Sequence, residues 1–216
     1  SVHSVPSDHS TTFRMSYVRG RRRQVIESAA SPIVLSDVPI GWRSAPLVLL
    51  APVAGEVSED LAEHFPGSVV MASLQGWLRH WDSAGLVSTG PWAGREVLRH
   101  ADAAVVSIED VADTGLIGQW AEDTAALMVT MGSRGARLHF EGAWHQIAPF
   151  AVREVEPTGA GDVFAAAYLV RYHQAGDPLE SARFAACAAS FCVEALGTSG
   201  IPTREQVEER LSGPRP

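Results

Sequence analysis

Residues 156–164 read EPTGAGDVF and run on into AAAYLVRYHQAG at 165–176, so two glycines and a carboxylate stand at the head of an Ala-rich, apolar helical stretch. Gly159 and Gly161 carry no side chain to block close approach and tolerate unusual backbone angles. Several N–H groups at the helix start therefore face outward, which makes a ready anion site. Asp162 sits at the same helix start. A carboxylate there can take a proton from a hydroxyl while neighbouring amides stabilise developing negative charge. Taken alone, the same carboxylate could serve only the helix dipole. The run is not the dinucleotide fingerprint GxGxxG, because Phe164 stands where its third glycine would be.

Outward from this run the pattern alternates. Upstream, APLVLLAPVAG, SVVMASL, ADAAVVSIED and TAALMVTMGSRG read as buried strands. Between them SEDLAEHF, with Ser58 as its cap, PWAGREVLRHA, with Pro91 at its start, and GLIGQWAED read as short helices. ARLHF and AWHQI read as a hairpin, and helices are expected from about Gly161, Pro178 and Thr203. TTFRMSYV and RQVIES, separated by RGRR, read as an N-terminal hairpin. Strands alternating with helices favour a mostly parallel sheet with ligands at the carboxyl ends of its strands. The glycine-rich runs fall just after strands, as that rule requires.

Composition narrows the chemistry. Seventeen basic and twenty-five acidic residues among 216 give a net charge of −8, which argues against a nucleic-acid surface. All seventeen basic residues are Arg. Without Lys, neither a Walker loop nor a protein-kinase site can be built. No apolar run reaches the roughly 18 residues a membrane helix needs, and no secretory signal opens the chain, so a cytoplasmic protein without membrane partners is expected. SVHSVPSDHSTTF lacks an initiating Met, as in a fragment or processed product. Cys187 and Cys192 lie five positions apart on one helix, about 140° around its axis, so they do not pair. The histidines show no HExxH spacing and there is no GxSxG elbow.

EPTGAGDVFAAAYL resembles the second signature of the PfkB/ribokinase family, D-T-x-G-A-G-D followed by a helix rich in small and aromatic residues. VTMGSRGARLHFEG is similar to the family's V-T-x-G-x-x-G strand and turn. FAACAASFCVEALGTSGIPTREQVEERL is similar to its closing helices. The resemblance covers about Thr124 to Arg210 and implies an α/β, ribokinase-like fold, a mostly parallel sheet flanked by helices with a small β lid. Residues 1–45 would form the β-rich lid or edge segment and 46–216 the nucleotide-binding and catalytic domain. It implies an ATP-dependent phosphotransferase acting on a sugar or polyol hydroxyl. Asp162 would be the base, and Gly159, Ala160 and Gly161 the anion hole. Thr130, Gly132 and Gly135 would line the nucleotide phosphates and ribose, with Ala188, Cys192 and Ser199 in the region enclosing adenine. The lid implies a homodimer.

Two departures from the family pattern stand out. Glu156 replaces the Asp that, with Thr158, would hold a monovalent cation such as K⁺. Ser107 and Asp110 in SIED replace the Asn and Glu that organise Mg²⁺; oxygen ligands still suit that ion. The alternative for SIED is a polar strand end capping a helix. SVVMASLQGWLRHWDSAGLV resembles a stretch of a short branch that includes plant inositol kinases, which favours a polyol. Within it Trp77 and Trp81, four apart, form a core pair or a ligand wall. Arg19 to Arg23 is a charged hairpin turn or a contact for an acidic group. The family's first strand–helix unit, which grips the sugar, has no counterpart, so the pattern is entered partway, near the lid. A non-catalytic nucleotide-binding relative is the rival reading.

Overall fold

The structure is a computed structural model that describes residues 1–18 and 21–213. Its centre is a six-stranded sheet. In chain order, β1 (Thr12–Val18) and β2 (Arg21–Ser28) form an antiparallel ribbon. They are followed by β3 (Leu47–Leu50), β4 (Val69–Ser73), α1 (Gln75–Leu78), β5 (Arg79–Trp81), β6 (Val87–Thr89) and α2 (Arg95–Leu98). Then come β7 (Ala103–Ser107), α3 (Gly115–Asp123), β8 (Ala126–Thr130), β9 (Ala136–Phe140), β10 (Ala143–Ile147), α4 (Ala160–Ala175), α5 (Pro178–Cys192) and α6 (Arg204–Ser212). The main sheet runs β10-β9-β8-β7-β4-β3. Strands β3, β4, β7 and β8 are parallel, and β9 and β10 close one edge as an antiparallel hairpin.

Near-continuous apolar runs in β4, β7 and β8 bury both faces, as a parallel sheet between helices requires. Along β7, Ala104 and Val106 join the core on one face with Trp120 of α3, while Ala103 and Val105 join the other with Phe164 and Tyr168 of α4. Leu127 and Val129 of β8 divide from Ala126 and Met128 in the same way. α4 therefore lies across the sheet by burying Phe164, Ala165, Tyr168 and Leu169. It ends where Gly176 turns left-handed and its N–H returns to Tyr172 O. Asp177 then caps α5 by accepting from Leu179 and Glu180 N–H at 2.8 and 3.0 Å, with Pro178 at the first helical position. Among the described residues, no helix is long and apolar enough to cross a membrane.

Three local expectations change. Residues 59–64 form a 3₁₀ turn whose Ser58 hydroxyl donates to the Asp60 carboxylate and so caps no backbone N–H. Pro91 precedes α2 by a loop, and Gly94, left-handed, is the residue that opens the helix. Helix α1 stops at Leu78, so Trp77 and Trp81 do not share a helical face. Trp77 is buried and stacks on Trp92 at 5.4 Å, whereas Trp81 is exposed on β5. The β5–β6 hairpin docks on β2 through a Val25–Leu86 bridge and an Ile26 N–H to Gly85 O bond of 2.8 Å. The small β layer thus draws on residues from both sides of residue 45. Of the basic run 19–23, Arg19 and Gly20 lie outside the described residues.

Candidate active site

The parallel strands set the location. Ser107 and Thr130 are register partners at the carboxyl ends of β7 and β8. The chain then folds back through a tight turn, with Met131 N–H to Gly135 O at 2.8 Å and Gly135 N–H to Gly132 O at 2.9 Å. Gly135 has φ +84°, and a Cβ there would stand 2.2 Å from Ile147 O. Only glycine fits so close to backbone. That approach also orients the molecule: β10 runs parallel to β8, so its last residue, Ile147, leaves the sheet at the same end as Thr130, Gly132 and Gly135. From there the chain passes to 156–162.

Gly159 is left-handed at φ +85° and is the cap of α4. Ala160 N–H turns back to Pro157 O at 3.2 Å, whereas the N–H groups of Gly159, Gly161 and Asp162 meet no acceptor among the described residues. These are the orphan donors of a helix start, and they carry its positive end. Asp162 is exposed in this first turn and forms no ion pair among the described residues. The geometry puts donors for an anion and a carboxylate acceptor for a proton within one turn.

The loop rests on the end of α5. Val155 and Glu156 N–H both reach Val193 O, at 2.7 and 3.2 Å. Glu156 Oε2 accepts from Gly197 N–H at 3.1 Å, and the Cys192 thiol donates to Thr158 O at 3.8 Å. Burial pushes the Cys192 thiol up, and the carboxylates of Asp162 and then Glu156 push it further in the same direction. Its proton stays on at neutral pH, which keeps the sulfur a donor toward the loop.

Of the remaining expected residues, Ala188 is buried with Cys187 and Val207 between α5 and α6, and Ser199 is exposed with its hydroxyl donating to Leu196 O. Cys192 lies beneath the anion loop. Ser107 Oγ accepts from Glu109 N–H at 3.3 Å and caps the 3₁₀ turn 108–110. Asp110 is buried, and its Oδ2 accepts from Gln75 Nε2 at 2.9 Å. No three His, Cys, Asp or Glu side chains converge among the described residues. Oxygen donors such as Asp110 suit a hydrated Mg²⁺ that takes most of its ligands from water and phosphate.

Sequence reasoning missed Gln75, which lies just past the carboxyl end of β4 as Asp110 lies just past that of β7. A polar side chain just past a buried strand, in a sheet that binds at its carboxyl ends, was the available signal. It also missed Gly197 and Val193, whose backbone groups hold the loop and leave no mark in side-chain chemistry.

Comparison with known proteins agrees with this architecture. The chain is 30% identical over 145 residues to the inositol 3-kinase of Zea mays, a match covering 65% of this chain and 37% of that protein. The structure superposes on Arabidopsis thaliana ribokinase complexed with ribose and ATP at a TM-score of 0.67, with 22% identity, covering 91% of this chain and 67% of that one. It superposes on a pyrophosphate-dependent kinase of the ribokinase family, solved with a pyrophosphate analogue and myo-inositol, at a TM-score of 0.71. There the identity is 22% and the coverage 87% and 70%. The chain spans about a third of the length of the curated relatives it matches. Residues 96–204, just over half of the chain, match the model of the pfkB family carbohydrate kinases, and the chain belongs to that family.

Proposed function

We propose that this protein is a carbohydrate kinase that transfers a phosphoryl group to a hydroxyl of a polyol or sugar, with Asp162 as the general base. The observation that carries the reading is the single helical turn in which the unpaired amides of Gly159, Gly161 and Asp162 stand beside an exposed carboxylate. Asp162 would accept the hydroxyl proton as the oxygen attacks, and the amides would hold charge on the transferring group. Thr130, Gly132 and Gly135 would border the nucleotide phosphates, and Asp110, oriented by Gln75, would organise a hydrated Mg²⁺. When bound, Mg²⁺·ATP supplies the phosphoryl group and neutralises part of its charge. A polyol acceptor is favoured by the likeness to inositol 3-kinase and by the neighbour solved with myo-inositol. The exposed β1–β2 ribbon is the surface through which two copies would pair.

A second reading, a nucleotide-binding relative without turnover, rests on Ser107, whose hydroxyl is occupied as a turn cap where the family would place a group for the metal. The test is donor consumption by the wild-type chain over a panel of polyols, sugars and nucleosides, with ATP and pyrophosphate as donors, alongside thermal shifts by each donor. Turnover with one acceptor class bears out the kinase. A donor-induced rise in Tm without turnover on any acceptor favours the binding relative, since ligand linkage stabilises without chemistry.

A further inference from the structure

The loop leading into 156–162 is tied to a distant segment, residues 192–197, by four bonds. Glu156 alone makes two of those ties: its N–H reaches Val193 O and its carboxylate receives Gly197 N–H across 41 positions of sequence. Gly197 takes φ +56°, a left-handed turn that places its N–H within reach of that carboxylate. Thr158 O, the neighbouring acceptor, is met by the Cys192 thiol. One oxygen of each residue expected to ligate a monovalent cation thus accepts a bond from a donor of the protein itself. A cation at this point would join the anion loop to the segment after α5, and a charge-assisted N–H to carboxylate bond already does so.

We propose that Glu156 is a positioning residue: its carboxylate, bonded to Gly197 N–H, straps the anion loop to residues 193–200 and takes the place of the monovalent cation expected at Glu156 and Thr158. The extra methylene of Glu over Asp is what the strap needs. An Asp at 156 would stop short of Gly197 and leave the gap open to a cation. The anion site of this chain therefore binds phosphate groups equally well with K⁺ and with a cation too large to be ligated. The functional half of this inference rests on the kinase reading, while the strap itself does not.

Two readouts keep the two apart. The first is hydrogen exchange of the Gly197 amide in the chain without nucleotide. Protection is expected in wild type and in Glu156→Gln, which keeps an acceptor oxygen, and is lost in Glu156→Ala and Glu156→Asp. Equal protection in all four proteins overturns the strap. The second is ATP affinity by calorimetry in KCl and in tetramethylammonium chloride. Wild type binds equally in both, Glu156→Ala binds about tenfold more weakly in both, and Glu156→Asp recovers with K⁺ only, as the loss of one charge-assisted bond predicts. Wild-type ATP binding that collapses in tetramethylammonium overturns the replacement of the cation. Absence of ATP binding in every protein counts against the kinase reading, and the Gly197 amide still decides the strap.

Discussion

Two regions of this chain are held in opposite ways. The anion loop at 156–162 is bonded to Val193, Gly197 and Cys192 and lies at the head of α4, whose buried face spans the sheet. Among the described residues, the β1–β2 ribbon is tied to the rest of the molecule by a bridge to Leu86, a bond from Ile26 to Gly85, and Arg79 stacked over Phe13 at 5.2 Å. Of the residues described in the ribbon, only Ile26 is buried. The contrast marks a division of labour. The turn proposed as catalytic is held in place by bonds from a distant segment, as electrostatic stabilisation of a developing charge requires, while the small β layer is held by few described contacts.

The largest break is expected in the rigid half. Gly135→Ala forces a Cβ to within 2.2 Å of Ile147 O at φ +84°, and should cost about 3 kcal/mol of stability or prevent folding, read as a drop in urea midpoint. The matching change in the ribbon's seat is Gly85→Ala, where the Cβ would stand 2.4 Å from Ile26 O. Here the loss of global stability should be about 1 kcal/mol, because only the ribbon is displaced. The KM for the acceptor should rise more than the KM for the donor. If Gly85→Ala lowers the midpoint as far as Gly135→Ala does, the two regions are not independent.

Native-state hydrogen exchange sharpens the same contrast. Amides of β1 and β2 should exchange through local opening, and those of β8 and α4 only near the global limit. Indistinguishable protection would remove the distinction.

The smallest effect concerns protons. Burial raises the Cys187 thiol from 9.0 to about 11, against the opposing pull of Arg210. The folded chain therefore holds this proton more tightly than the unfolded chain does. Its contribution is intact below pH 9 and is lost as pH rises towards about 11. Stability measured over that range should fall, and Cys187→Ala should flatten the slope.

Legibility did not follow this division, since the β1–β2 hairpin was read from the sequence as readily as α4. The β9–β10 hairpin and helices α4, α5 and α6 could be read nearly to the residue. Glu141 and Gly142 both take positive φ at the hairpin turn, and Pro178 and Thr203 announce helix starts. Residues 58–98 were less legible. WDSAGLV carries the turn residues of the β5–β6 hairpin, with Asp82 Oδ1 accepting from Ala84 and Leu86 N–H at 2.9 Å each. Its Trp spacing nevertheless suggested a core pair or a ligand wall, whereas Trp77 is buried and Trp81 is exposed on β5. Of the site, Asp162 and the glycines stand out because their side-chain chemistry or its absence is local. Gln75, 35 positions from Asp110, is brought there by the β4–β7 pairing. Glu156 was visible, but its partner is a backbone N–H made available by a left-handed turn, which only the folded chain shows.

The role of Asp162 is tested by comparing wild type with Asp162→Asn at saturating donor and acceptor. If Asp162 is the base, kcat falls by about 10²–10⁴-fold while the donor's KM and its thermal shift stay near wild type, since the amides proposed to hold the phosphate are untouched. Equal turnover in the two proteins would contradict the assignment of Asp162.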